Sequence, residues 1–425
     1  MNDSARPRRV PLSREVQEAD VDGFTHGGEG VARLEGKAVF VPGALPGERV
    51  RLRVVDDRKR WARAELVEVL TPSPDRAAED DPQRHRCGGC DLEHVTPDGQ
   101  LRLKTRVVRE QLARLGGLAD APVEDCRAVG PATDYRNRAR FHVDGQGRPG
   151  FFLPGSHEVV PGTDCRALAP GVVEVVDAIG TTSAAEVTVR AHGEGRAVVL
   201  TPGPGGLELP EGDFDLLLEQ PDGSVVAMRG DGVLAEDVAG LRFRFDATSF
   251  FQNNATGAQA LVDEVLAAVA APGGGVAGAL VWDLYAGVGL LSLPLAGAGA
   301  EVVAVEGHEP AADWARRNAT EAGLDVEVAQ EAVHRFVRTA RRGEGKGDPP
   351  DVVVLDPPRT GAGEDVVTDL VALSPATIVY VACDPAALAR DAKALTAGGY
   401  RLTRVVPLDL FPMTHHVEAV ATFTR

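Results

Sequence analysis

Cysteine is scarce in this chain: five in 425 residues, at positions 87, 90, 126, 165 and 383. So few, so widely spread, exclude a disulfide framework and leave metal binding or catalysis as the uses to look for. Aromatic residues make up only 5% of the chain, so its cores are expected to be built from Val, Leu and Ala. Long apolar runs are missing as well. The uncharged stretches 265–282 and 284–300 are broken by Pro272 and by repeated glycine, and a spanning helix needs about 20 consecutive apolar residues. The opening residues, MNDSARPRRV, lack the apolar centre of a signal peptide. A soluble, cytoplasmic protein is expected. Net positive charge is also absent. A formal charge of −18 argues against a simple polyanion binder, although Arg49–Arg63 and Arg136–Arg140 are locally Arg-rich, and Arg suits bidentate phosphate contacts.

What is present falls into three stretches. Over residues 10–70, short alternating runs such as Lys37–Val41, Arg49–Val55 and Trp61–Leu70 are separated by Gly and Pro. That pattern predicts a small all-β barrel. Its exposed face would carry Arg51, Arg53, Arg58, Lys59, Arg60 and Arg63 beside Trp61, the mixture of cation and aromatic that single-stranded nucleic acid favours. Residues 75–250 are mixed α+β, with one amphipathic helix near Asp98–Leu115. From 251 to 425 helices alternate with apolar strands at Leu280–Leu284, Glu301–Glu306, Asp351–Leu355 and Thr377–Ala382. This rhythm predicts an α/β, Rossmann-like parallel sheet, followed by an antiparallel pair at Val405–Leu410 and His416–Thr424. Ligands in such folds bind at the carboxyl ends of the strands.

Asp283-Leu284-Tyr285-Ala286-Gly287-Val288-Gly289 follows a strand and opens a helix, and Glu306 ends the next strand. Glycine there lets a ligand approach the backbone, and the carboxylate can accept from both hydroxyls of a ribose. An adenosine-containing cofactor is implied. A nicotinamide dinucleotide would want a third Gly at 292, where the chain has Ser292. S-adenosylmethionine fits better.

Two further strand ends carry reactive groups. Asp356-Pro357-Pro358-Arg359 presents a carboxylate on a stiff backbone, with Arg359 where enzymes that methylate exocyclic amines have an aromatic. Cys383-Asp384-Pro385 puts a thiol at a strand end just before a helix, where a thiolate is electrostatically favoured. Thiolate addition at carbon 6 of uracil would make carbon 5 nucleophilic toward a methyl sulfonium. A base must then remove the carbon 5 proton. Glu418 is the candidate, with His415 and His416 as competitors and His416 sharing its face of the expected strand.

With those residues in view, the chain resembles the RNA 5-methyluridine methyltransferases over almost its whole length. Gly28-Glu29-Gly30-Val31-Ala32 and Val41-Pro42-Gly43 are similar to a TRAM domain. Tyr135-Arg136-Asn137-Arg138-Ala139-Arg140 is similar to a basic stretch of the family. Ser249-Phe250-Phe251-Gln252-Asn253-Asn254, the Cys383–Asp391 run and Phe411-Pro412-Met413-Thr414-His415-His416-Val417-Glu418 complete the likeness. The resemblance implies that Gln252, Tyr285, Glu306 and Asp356 bind S-adenosylmethionine, that Cys383 is the nucleophile and that Glu418 is the base. It implies RNA, ribosomal or transfer, as the partner, and a monomer. Some members hold a [4Fe–4S] cluster through four cysteines. Cys87, Cys90 and Cys165 match three of them, and Asp81 stands at the first position. A cluster completed by Asp81 or His85, a zinc ion, and cysteines kept only for packing all remain open. Two other readings are a non-catalytic RNA-binding module and a cytosine carbon-5 methyltransferase.

Overall fold

The computed structural model describes residues 15–78, 87–270, 276–344 and 348–425. Asp81 and His85, the expected alternatives for a fourth metal ligand, lie outside the described residues.

The first strands, Val16–Phe24, Glu29–Leu34, Lys37–Pro42, Arg49–Asp57 and Trp61–Thr71, close into a barrel in which the first pairs with the fourth. Alternating small apolar residues, among them Ala19, Val21, Ala32, Val39, Val50, Leu52 and Ala62, fill its interior. Gly30 is required there, because a Cβ would sit 2.6 Å from the carbonyl oxygen of Ala44. The expected basic face is largely neutralised. Arg51 pairs with Glu18 and Glu68, Arg53 with Glu65, Arg58 with Asp56 and Arg63 with Glu29. Strand pairing places Glu18 and Glu68 across from Arg51 and Glu65 across from Arg53, which residue counting along one strand does not reveal.

The middle of the chain, whose topology the sequence pattern did not disclose, contributes a seven-stranded sheet among the described residues. Its central strands are Gly195–Pro202, Ala184–His192 and Arg138–Val143, packed on the helix Pro170–Ile179. The other helix of this region, Pro97–Arg114, is capped by Thr96 and packs instead on the C-terminal sheet.

The C-terminal sheet has eight strands among the described residues. Their order is Val326–Gln330, Glu301–Glu306, Leu280–Leu284, Val352–Leu355, Thr377–Ala382, Glu418–Thr424, Arg401–Asp409 and Arg127–Ala128. The first five run parallel, and Glu418–Thr424 is antiparallel to both its neighbours Thr377–Ala382 and Arg401–Asp409. Val326–Gln330 was not read from the sequence, because its Val-Glu-Val-Ala-Gln pattern is short and half polar. The antiparallel pair formed as expected, but its second strand begins at Glu418. His416 precedes it, so the shared face expected from strand alternation does not exist.

The helix Pro97–Arg114 joins the two ends of the chain. Lys104, 1% exposed, forms a buried ion pair with Asp409 and donates to the Phe411 carbonyl at 3.0 Å. Breaking a buried pair strands one charge without compensation. Lys104→Met is expected to cost roughly 3–5 kcal/mol in urea unfolding, and adding Asp409→Leu should recover much of the loss. A single variant as stable as wild type would refute this role for the pair.

Candidate active site

The parallel strands end at Leu284, Glu306, Leu355 and Ala382, so Tyr285, Glu306, Asp356 and Cys383 gather along one sheet edge. Glu418 reaches the same edge from the opposite direction. Ala382 is paired with Ala419, so the next positions, Cys383 and Glu418, lie side by side where the strands part. The electrostatics agree, since the proton affinity of Cys383 responds to both Glu418 and Asp356.

The turn after Leu284 is opened by three left-handed residues, Tyr285 (φ 65°), Gly287 (φ 56°) and Gly289 (φ 95°). A non-glycine in that region is strained, and such strain concentrates at functional sites. A Cβ on Gly287 would meet nothing within 4 Å, so the turn borders open space. Glu306 is fixed by backbone N–H donors, from Gly287 at 2.9 Å and from His308 at 2.6 Å. Its remaining lone pairs are available to hydroxyl groups. Ser292, which the sequence set against a dinucleotide, is fully buried and its hydroxyl donates to Asp283. The open turn and the anchored carboxylate fit an adenosine-bearing ligand, and Gln252 is buried (6% exposed).

This edge is acidic and dry. Burial pushes both Asp283 and Asp356 up to about 7. Glu418 is raised well above the usual carboxylate range by burial and by Asp356, and Arg359 opposes the rise. Burial, followed by the charges of Glu418 and Asp356, raises the Cys383 thiol to about 12. The helix N-terminus beside it does not reverse this, because its cap is occupied by Asp384, which accepts from the Ala387 N–H. Burial and the neighbouring carboxylates thus act against the thiolate expected at this helix end.

Glu418 is approached by a segment held largely by the N-terminal half of the chain. Gln100 accepts from the Met413 N–H at 2.7 Å, and Leu92 donates to the Met413 carbonyl at 2.9 Å. Tyr135 donates its hydroxyl to the Pro412 carbonyl at 3.0 Å. Asp91 accepts from the His415 N–H at 2.8 Å and also holds its ring nitrogen Nδ1. Met413 sits at φ 65°. His416 is lowered to about 4, chiefly by burial and then by His415 and Arg359, so it is neutral at pH 7. None of these clamps was legible in the sequence, since their partners are hundreds of residues apart.

Cys87, Cys90 and Cys165 form a second group behind that segment. Cys90 and Cys165 share a sulfur hydrogen bond and pack with Tyr135 and Met413, and Cys87 feels the charge of Cys165. Cys126 is buried elsewhere, near Lys104 and Asp409. Three sulfurs fall short of the four that a [4Fe–4S] cluster takes from cysteine. Among the described residues, no group of three or more His, Cys, Asp or Glu is placed to hold a metal ion.

Comparison with known proteins follows the same division. A TRAM domain profile matches residues 12–67, and a tRNA (Uracil-5-)-methyltransferase profile matches residues 233–425. The chain is 37% identical to the 23S rRNA (uracil(1939)-C(5))-methyltransferase of Alkalilimnicola ehrlichii, over 98% of each. It is also 37% identical to an uncharacterized RNA methyltransferase of Streptomyces avermitilis, over 96% of this chain and 98% of the other. The chain belongs to the RNA 5-methyluridine methyltransferase family. A crystal structure of the Pyrococcus abyssi tRNA (uracil-54, C5)-methyltransferase with S-adenosyl-L-homocysteine shares its fold. The TM-score is 0.75 at 25% identity, over 96% of this chain and 100% of that one. This is thus an S-adenosylmethionine-dependent RNA (uracil-C5) methyltransferase, with a closed barrel at its N-terminus and a Rossmann-like sheet at its C-terminus. Among the described residues no helix is long and apolar enough to cross a membrane.

The raised thiol sets a pH dependence for the ligand-free methyltransferase. Only the thiolate alkylates, so the rate at Cys383 should climb about tenfold per pH unit from 7 to 10. Iodoacetamide labelling followed by peptide mass mapping measures it. A plateau below pH 9 would mean that the thiol is not raised.

Proposed function

We propose that this methyltransferase carries the methyl group of S-adenosylmethionine to carbon 5 of a uridine in structured RNA through a covalent bond between Cys383 Sγ and carbon 6. The reading is supported above all by the register Ala382 with Ala419, which sets Cys383 beside Glu418 on the edge that also carries Asp356. Gln252, Tyr285, Glu306 and Asp356 are assigned to the cofactor side of the pocket. The cofactor supplies an electrophilic methyl group on a positively charged sulfur.

The thiol adds to carbon 6 and the carbon 5–carbon 6 π pair moves toward the carbonyl, giving an enolate. Asp356, whose proton affinity is raised to near neutrality, takes the thiol proton. Carbon 5 then bonds the methyl carbon as the methyl–sulfur bond breaks, its electron pair staying on the sulfur, which leaves as a neutral thioether. Glu418 removes the carbon 5 proton, the double bond re-forms, and the sulfur leaves carbon 6 to recover its proton. Burial raises the basicity of Glu418, which is what proton abstraction from carbon needs. His415 is committed to Asp91 and His416 lies off the strand, so neither competes well. The target base must leave its stack to reach Cys383, with the barrel and Arg136–Arg140 holding the RNA backbone. The enzyme acts in the cytoplasm as a monomer.

RNA containing 5-fluorouridine cannot lose the carbon 5 substituent, so wild type should form a stable adduct with it in the presence of cofactor. Cys383→Ala should form none. Glu418→Gln should slow turnover on ordinary RNA by about 10²–10⁴ while the adduct accumulates. An adduct on Cys383→Ala would overturn the nucleophile, and methyl found on cytidine would overturn the target. Ribosomal and transfer RNA are both assayed, because the named relative acts on the first and the solved neighbour on the second. For Cys87, Cys90 and Cys165, anaerobic reconstitution with iron, sulfide and zinc assays decides the metal. Protein free of both metals would remove that assignment.

A further inference from the structure

Arg190 lies in the strand Ala184–His192 of the seven-stranded sheet and is fully buried, at 0% exposure. Arginine is almost never buried without an anion. Among the described residues no carboxylate lies within ion-pairing distance, and Asp246 is the negative charge it feels. One guanidinium nitrogen is held by the backbone instead, while Nε and Nη2 are buried without a hydrogen-bond partner among the described residues. Its Nη1 donates to the carbonyl oxygens of Asp246, Ala247 and Ser249 at 3.4, 3.1 and 2.5 Å. Its plane lies 5.0 Å over the Phe245 ring, a cation–π contact. Phe245 in turn stacks on Phe251 at 4.5 Å, with the rings 10° from parallel.

One side chain from the middle sheet thus holds residues 245–251 by two routes, through carbonyl oxygens and through stacked rings. The next residue is Gln252. Asn137, on the same side, extends the grip by donating its N–H to the Asn253 carbonyl at 3.0 Å. From the other side the Asp246 carboxylate gathers the N–H groups of Thr248 and Ser249 at 2.8 Å, and Trp314 Nε1 at 3.0 Å. Three carbonyl dipoles converging on one point repel each other unless a cation sits there, so the shape of the turn depends on the guanidinium. Lysine would keep a charge near the carbonyls but lose the planar guanidinium that lies over Phe245.

We propose that Arg190 is a positioning residue for the cofactor: from outside the sheet that carries the cofactor turn, it fixes the backbone from which Gln252 projects and thereby sets affinity for S-adenosylmethionine. This rests on the assignment of Gln252 to the cofactor. The middle region is on this account part of the cofactor site as well as an RNA surface.

The test uses full-length protein without RNA and measures S-adenosyl-L-homocysteine binding by calorimetry for wild type, Arg190→Lys and Phe245→Leu. Near-ultraviolet circular dichroism and thermal melting establish that each variant is folded. Misplaced positioning groups commonly cost one to two orders of magnitude, so the Kd should rise about tenfold or more in both variants. The KM for cofactor should rise more than kcat falls, which loss of stability alone would not produce. Folded variants that bind within about twofold of wild type would overturn the proposal, and if Arg190→Lys does not fold, Phe245→Leu decides alone. A wild type that fails to bind the ligand would strike at the cofactor assignment instead.

Discussion

The segment 409–416 makes no regular structure after Asp409, yet it delivers Glu418 to the strand edge. It is shaped by groups that belong elsewhere. Lys104 pairs with Asp409 and binds the Phe411 carbonyl, Tyr135 holds Pro412, Gln100 and Leu92 hold Met413, and Asp91 holds His415. These contacts satisfy backbone groups that would otherwise be buried without partners, which is costly. They also impose the left-handed Met413, a conformation the chain would not choose alone. The segment before Glu418 therefore takes its shape from groups of the N-terminal half packed against it. Gly28 of the barrel shows how close that packing is, since a Cβ there would come within 3.0 Å of Asp91 and 3.1 Å of His415.

The cysteine group acquires a physical meaning from the same arrangement. Cys90 lies next in sequence to Asp91, and Cys90 and Cys165 pack with Tyr135, Met413 and Phe411. Whatever holds these sulfurs together also holds the clamp on the segment before Glu418.

Much of the fold was legible because it is written in local patterns. Period-2 runs between Gly and Pro marked the barrel, and apolar strands between helices marked the parallel sheet. The strand ends then brought Tyr285, Glu306, Asp356 and Cys383 together by topology alone. What could not be read depends on cross-strand or long-range pairing. The arginines of the barrel looked free because Glu18, Glu65 and Glu68 lie on neighbouring strands. The start of the last strand was misplaced because Thr414-His415-His416 is drawn off the sheet by Asp91. Arg190 drew no notice, since a lone arginine in an apolar strand carries no signal until three carbonyls are seen to converge on it.

The acidity of the edge gives the proposed cycle a direction. Asp283, Asp356 and Glu418 are all raised by burial, and the charges of Asp356 and Glu306 add to the rise at Asp283. Carboxylates raised in this way resist ionising together. A sulfonium entering beside them supplies the missing positive charge in a site of low dielectric, where the attraction is strong. Methyl transfer removes that charge and leaves a neutral thioether. On the proposed assignment, the carboxylates that attract the sulfonium then have less hold on the neutral product. At that moment Glu418 must accept the carbon 5 proton, which neutralises one negative charge of the edge as the positive one disappears. Loss of the sulfonium and protonation of the base thus offset each other, and burial, which makes isolated charge costly here, favours the two events occurring in close succession.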